Sequence, residues 1–157
     1  MYNGLAENEY GWWKITNGTV DFSYNGVAQN QYGLWKVTNG TVDFSANGLQ
    51  FDKGSNTWLY FNNGVVDTSY TGLAENEYGW WKITDGAVDF SFNGMAENEY
   101  GWWKIANGTV DFNFTGLAKN QYGWWYLTNG TVDFNYTGTA SNEYGTFIVV
   151  NGEAFMQ

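Results

Sequence analysis

Indole rings are the side chains of this sequence best suited to do chemistry. Trp12, Trp58, Trp80, Trp102 and Trp124 recur along the chain among Lys, Asp and Ser or Thr neighbours. A periodic row of indoles beside such residues can stack on sugar rings while the polar groups hold hydroxyls. Other chemistry is poorly provided for. The 157 residues include no His or Cys, which removes the imidazole base, the thiol nucleophile, the disulfide and the usual zinc site. The aspartates at 21, 43, 67, 89, 111 and 133 lack the spacing of a calcium loop, and the Glu-Asn-Glu trios at 7–9, 75–77 and 97–99 read as solvated loops. No metal and no cofactor is called for. A net charge of -10 is the wrong sign for neutralising phosphates, so nucleic acid is not an expected partner.

What must position the indoles is a repeat. Gly4, Gly26, Gly48, Gly72, Gly94, Gly116 and Gly138 mark seven copies of one motif of about 22 residues, with two extra residues in the third copy between Gln50 and Thr57. The spacing predicts a single array over residues 1–157, with a shortened last copy as its cap. Met1-Tyr2 reads as the tail of a preceding copy. No apolar run approaches the roughly 20 residues that span a bilayer, and the N-terminus does not read as a signal peptide.

Within a copy, Asn17-Gly18 lies between two runs of β-branched and aromatic residues, the signature of a two-residue type I′ turn. The register it sets predicts pairing of Thr16 with Thr19, Ile15 with Val20, Lys14 with Asp21, Trp13 with Phe22 and Trp12 with Ser23. One face would then hold Trp13, Ile15, Val20 and Phe22 as core, and the other Trp12, Lys14 and Asp21. Lys-Asp pairs recur as Lys36 with Asp43, Lys82 with Asp89 and Lys104 with Asp111. A lone hairpin is marginal in water. The expected fold is therefore all-β, a solenoid of seven tandem β-hairpin repeats. The segment between hairpins carries Leu5, Val27, Leu49, Leu73, Met95 and Leu117 towards the axis, and its recurring Asn8, Asn30, Asn76, Asn98, Asn120 and Asn142 serve a turn.

The third copy reads Trp58-Leu59-Tyr60-Phe61-Asn62-Asn63-Gly64, then Val65-Val66 and Thr71-Gly72. It resembles the cell-wall-binding repeats of Gram-positive surface proteins and lysins, that is, the choline-binding and related glucan-binding repeats. The resemblance implies a spiral of hairpins whose aromatic residues form ligand sites. Carried over by position, it implies ligand-binding roles for Trp12, Trp58, Trp80, Trp102 and Trp124, with Leu34 and Thr146 breaking the series. The second site aromatic is kept as Tyr60 and Tyr126 but is Lys14, Lys36, Lys82 and Lys104 elsewhere. A choline cage is an arrangement of ring faces around a quaternary ammonium, and a lysine there repels the ligand. The choline-like sites implied are those at Trp58 with Tyr60 and Trp124 with Tyr126.

Near-identical copies supply no unique constellation for catalysis. They favour multivalent binding, and together with the resemblance this makes the expected function a non-catalytic bacterial cell-surface module that binds envelope glycan or a related polysaccharide through repeated exposed Trp. By resemblance it is extracellular. Three other readings remain open. The indoles can instead fill seams between hairpins of a structural spacer or adhesin stalk; the mixed face can bind a protein; and an uncapped end near Met1 can pair end to end in a homodimer.

Overall fold

The computed structural model describes residues 1–157. Its 21 elements are all β-strands, paired antiparallel, so no helix is long and apolar enough to cross a membrane. Contacts group the chain into two compact units. Unit 1 comprises Met1–Thr71 with Thr84–Val88, and unit 2 comprises Gly72–Ile83 with Asp89–Gln157. Both are built from the same three-stranded copy.

In unit 1 the first copy has strands Gly4–Asn8, Gly11–Thr16 and Thr19–Val20. Asn17 at φ 51° and Gly18 at φ 84° make the expected type I′ turn, and Ile15↔Val20 and Thr16↔Thr19 pair across it as the sequence implies. The ladder then stops. Asp21 N still donates to Lys14 O at 2.9 Å, but the Asp21 carboxylate accepts from the backbone N and hydroxyl of Ser23, and Tyr24 N closes back on Asp21 O. This Asp-x-Ser turn ends the third strand at Val20. The predicted pairings of Trp13 with Phe22 and Trp12 with Ser23 are therefore absent.

The long hairpin lies on the other side. Gly4–Asn8, expected as a connecting swing, is a full strand that pairs with Gly11–Thr16 from Gly4↔Ile15 to Asn8↔Gly11. Asn8 makes the tight connection possible by accepting from Tyr10 N at 2.8 Å. Beyond its own copy, Trp13 pairs with Thr41 of the next. Each second strand thus touches three partners, and the copies stack as a solenoid-like run of hairpins. Close stacking selects Gly at the second turn position. A Cβ on Gly40, whose φ is +84°, would stand 2.5 Å from Asp21 O.

Unit 2 repeats the plan, for example with Gly94–Asn98, Gly101–Ala106 and Thr109–Val110, and with Trp103↔Thr131 linking one copy to the next. The core follows one face of the second strand. Ile83, Ile105, Leu127 and Val149 in unit 2, and Val37 in unit 1, have no exposed surface. Fully burying such a side chain contributes about 1.5–3 kcal/mol. Each cluster joins opposite faces of consecutive copies: Leu73 and Trp80 of one copy pack on Ala96, Ile105, Val110 and Trp103 of the next. Stacking is therefore face to back. Neither face of an internal hairpin is wholly solvent-facing.

Candidate functional site

At the seams of unit 2 the stacking leaves aromatic clefts. Trp80 of one copy and Tyr100, Trp103 and Phe112 of the next line a cleft of 430 Å³, closed at one side by Val110 and Thr131. One copy later, Trp102, Tyr122, Trp125 and Phe134 line a cleft of 500 Å³ with Val132 and Glu153. The four aromatic positions correspond one to one at a spacing of 22 residues. Ring geometry is preserved as well. Trp80 meets Tyr100 edge-on at 6.3 Å and Trp102 meets Tyr122 at 6.1 Å, while Trp103 meets Phe112 at 5.6 Å and Trp125 meets Phe134 at 6.5 Å.

One asparagine per copy fixes this geometry. Asn98 Oδ1 accepts both Tyr100 N and Trp103 Nε1, at 2.8 and 2.9 Å, and Asn120 does the same for Tyr122 and Trp125. The turn that displays the tyrosine and the indole of the cleft floor are thus held by one carbonyl. Tyr100 and Tyr122 are each 72% exposed, and Phe112 and Phe134 are more than half exposed. Large rings grouped in this way and left exposed form the kind of apolar patch that marks a binding surface.

The row of second-strand tryptophans falls where the sequence reading put it, on the face opposite Ile105, but each is half-buried in a seam. Trp80 and Trp102 roof the two clefts. Trp12 packs on the Leu5, Val37 and Val42 cluster and meets Tyr32 edge-on at 6.2 Å. Trp58 lies against Phe51 at 5.6 Å, and Trp124 against Tyr144 and Phe147 at 5.7 and 5.2 Å. Tyr126 packs in the same cluster as Trp124, and both site tyrosines have a ring partner of their own. Tyr60 and Tyr126 stack flat on Tyr70 and Tyr136, at 3.9 and 3.8 Å.

Two expectations are corrected. Trp103 and Trp125, the counterparts of Trp13 and expected in the core by the same alternation, form cleft walls, because Ala96 and Ala118 opposite them are too small to cover an indole. Phe112 and Phe134 were assigned there too and are exposed, since the strand ends before them. The turn tyrosines were missed altogether. Their signal was available: a tyrosine recurs between Asn-x and Gly at positions 10, 32, 78, 100, 122 and 144, in a turn that does not need it.

The lysines that replace the second aromatic also have a defined use. Lys14, Lys82 and Lys104 place Nζ over the rings of Tyr24, Phe92 and Phe114 at 5.0, 4.6 and 5.5 Å, and donate to the carbonyl of the following residue. Their own ammonium fills the place where a cation would meet those rings. The expected Lys-Asp pairs are weaker than hydroxyl contacts in unit 1. The Asp21 carboxyl is held below its ordinary range first by the Ser23 hydroxyl and then by Thr16, with the Lys14 charge the least of the causes. Asp43 is lowered chiefly by Ser45, with Lys36 again last.

No group of His, Cys, Asp and Glu in the structure could hold a metal ion. Comparison with curated proteins finds no match. Among solved structures, the chain is similar to choline binding protein F from Streptococcus pneumoniae, at 18% identity and a TM-score of 0.38, with 99% of this chain and 58% of that one covered. It therefore spans a little over half the length of that protein. The model of the choline-binding repeat matches residues 1–21, 69–89, 91–111 and 113–133, together more than half of the sequence. The chain belongs to the choline-binding repeat family.

Proposed function

We propose that the chain is a non-catalytic, extracellular module that attaches to an envelope glycan or related polysaccharide through choline-like groups on that polymer. The clefts of unit 2 receive those groups. The observation that carries the reading is the recurrence of one four-ring arrangement, Trp80 with Tyr100, Trp103 and Phe112, then Trp102 with Tyr122, Trp125 and Phe134. Ring faces attract a quaternary ammonium by about 0.5–2 kcal/mol each, and apolar walls suit its methyl groups. Glu153 adds a full counter-charge to the second cleft. The net charge of -10 draws cations towards the whole surface. A neutral sugar would need hydroxyl partners, and the Asn98 carbonyl is already engaged. Single sites of about millimolar affinity, near -4 kcal/mol, become useful when one polymer engages several.

The test is choline titration followed by Trp fluorescence and calorimetry, on the intact chain and on Phe112→Ala and Phe134→Ala, which remove exposed rings. Wild-type protein is expected to show a choline-dependent change that each variant reduces about 3- to 10-fold, one cleft at a time. No response to choline in a folded chain would sink the reading. The half-burial of Trp80 and Trp102 in core clusters favours a second reading, a structural spacer. A spacer predicts indoles insensitive to choline and to every saccharide.

A further inference from the structure

A cavity of unit 1 occurs where the repeat departs from its own pattern. Elsewhere a seam is filled by the second-strand tryptophan and by the aromatic residue ten positions after the lysine or tyrosine, as with Trp12 and Tyr24. In the second copy these are Leu34 and Ala46. Two large rings are thus missing from one seam, and a cavity of 620 Å³ opens there between Tyr24, Val27, Leu34 and Lys36 on one side and Phe51, Lys53, Thr57 and Leu59 on the other. The two extra residues of the third copy build its rim. Asp52 ties that rim down by accepting from Gly54 N, Ser55 N and the Ser55 hydroxyl.

The same substitution frees a cation. Lys14, Lys82 and Lys104 are bound to rings and carbonyls, whereas the ring that Lys36 would cover is replaced by Ala46. Lys36 lines the cavity with no ring in the place of Ala46 and with its charge acting on Asp43, and Lys53 stands exposed on the rim. Two of the chain's six lysines meet at one cavity that also offers Phe51, 43% exposed, and the Thr57 hydroxyl. Asp52 on the rim and Asp43 beside Lys36 are the nearby acids; hydroxyl and backbone donors fix their carboxylates in place and leave them charged, so an anion must be held by the two lysines against them.

We infer that this cavity is a binding site for a sugar ring carrying an anionic substituent, a phosphate or a carboxylate. Lys36 and Lys53 hold the anion, Phe51 and Tyr24 present apolar surface to the ring, and Thr57 hydrogen-bonds a hydroxyl. The volume accommodates one or two pyranose rings. The site uses none of the residues of the unit 2 clefts, so it stands or falls separately from the choline reading.

The experiment is a titration of the intact chain with glucose 6-phosphate, glucuronate, glucose and inorganic phosphate, read by chemical-shift changes at Lys36, Phe51 and Thr57. Glucose 6-phosphate or glucuronate is expected to bind at least 10-fold more tightly than glucose and than phosphate, and their order tells which anion the site takes. Lys36→Met and Lys53→Met should each weaken binding about 5- to 10-fold while leaving the choline response unchanged. Lys53 is exposed, so its variant keeps the fold. Equal binding of glucose would overturn the role of the lysines, equal binding of phosphate would overturn the role of the rings, and undiminished binding by both variants would overturn the site.

Discussion

The clefts of unit 2 and the cavity of unit 1 are built on the same hairpin and differ in what fills the seam. In unit 2, Trp80 and Phe92 sit against the next copy's core, so the remaining space is shallow, aromatic and free of lysine. In unit 1, Leu34 and Ala46 replace those rings, and the space is larger, 620 against 430 Å³, and lined by Lys36 and Lys53. As proposed, one geometry yields a cation-accepting surface or an anion-accepting pocket, depending on two side chains. Ligand type in a repeat array is set by local departures from the motif, not by the motif itself.

That statement breaks most visibly if the two seams are exchanged. Trp80→Leu with Phe92→Ala recreates the unit 1 pattern in unit 2. Loss of two large side chains from a packed seam costs about 3–5 kcal/mol, and thermal unfolding should report a large drop together with loss of choline binding at the Trp103 cleft. The reverse exchange, Leu34→Trp with Ala46→Phe, fills the unit 1 cavity. It should raise stability by about 2–3 kcal/mol through added burial, give Lys36 a ring to cover, and abolish binding of an anionic sugar. An unchanged melting temperature in both would mean that the seams are not packed as described.

The scaffold of the clefts can be tested more gently. Asn98→Ala leaves Tyr100 N and Trp103 Nε1 without their acceptor, a cost of about 1–3 kcal/mol. Choline binding at that cleft should fall while the Trp125 cleft, held by Asn120, keeps its affinity. Glu153→Gln tests the difference between the two clefts. It removes the counter-charge beside Trp125 but not the rings, so affinity should drop only about 2- to 4-fold, an amount in keeping with a solvent-screened charge. The loss should shrink at high salt.

Much of this was legible in the sequence. The 22-residue period, the Asn-Gly turn and the buried Ile105 and Val110 series follow from local chemistry that nothing tertiary overrides. The second hairpin was not legible, because Asn8-Glu9-Tyr10-Gly11 lacks the φ-positive pair that marks a type I′ turn and depends on the Asn8 side chain instead. Nor was the end of the third strand, where alternation predicts a buried Phe22 and the Asp21-Ser23 contact turns it out to 66% exposure. Both errors bear on the site. They hid the tyrosine and phenylalanine walls of the clefts, while Trp80 and Trp102 were found because the family pattern marks them.

The smallest effect separates the copies by acid. Asp21, Asp43 and Asp67, all in unit 1, lie below their ordinary range, each first because a serine hydroxyl, that of Ser23, Ser45 or Ser69, donates to the carboxylate. In unit 2, Ser91 makes the same hydroxyl contact to Asp89, whereas Asn113 and Asn135 replace that serine and donate through backbone N. A carboxylate with a lowered folded pKa contributes stability that is complete above its unfolded value, near 3.9, and is lost as pH falls through the folded value. Acid should therefore loosen the Asp-x-Ser turns of unit 1 only below about pH 4. Ser45→Ala should raise the Asp43 midpoint towards the ordinary value and move that loosening to higher pH, as read by carboxyl chemical shifts. If the midpoint of Asp43 is unmoved, the serine hydroxyl does not set it, and the Ser45 backbone N, Thr38 and Lys36 hold it down instead.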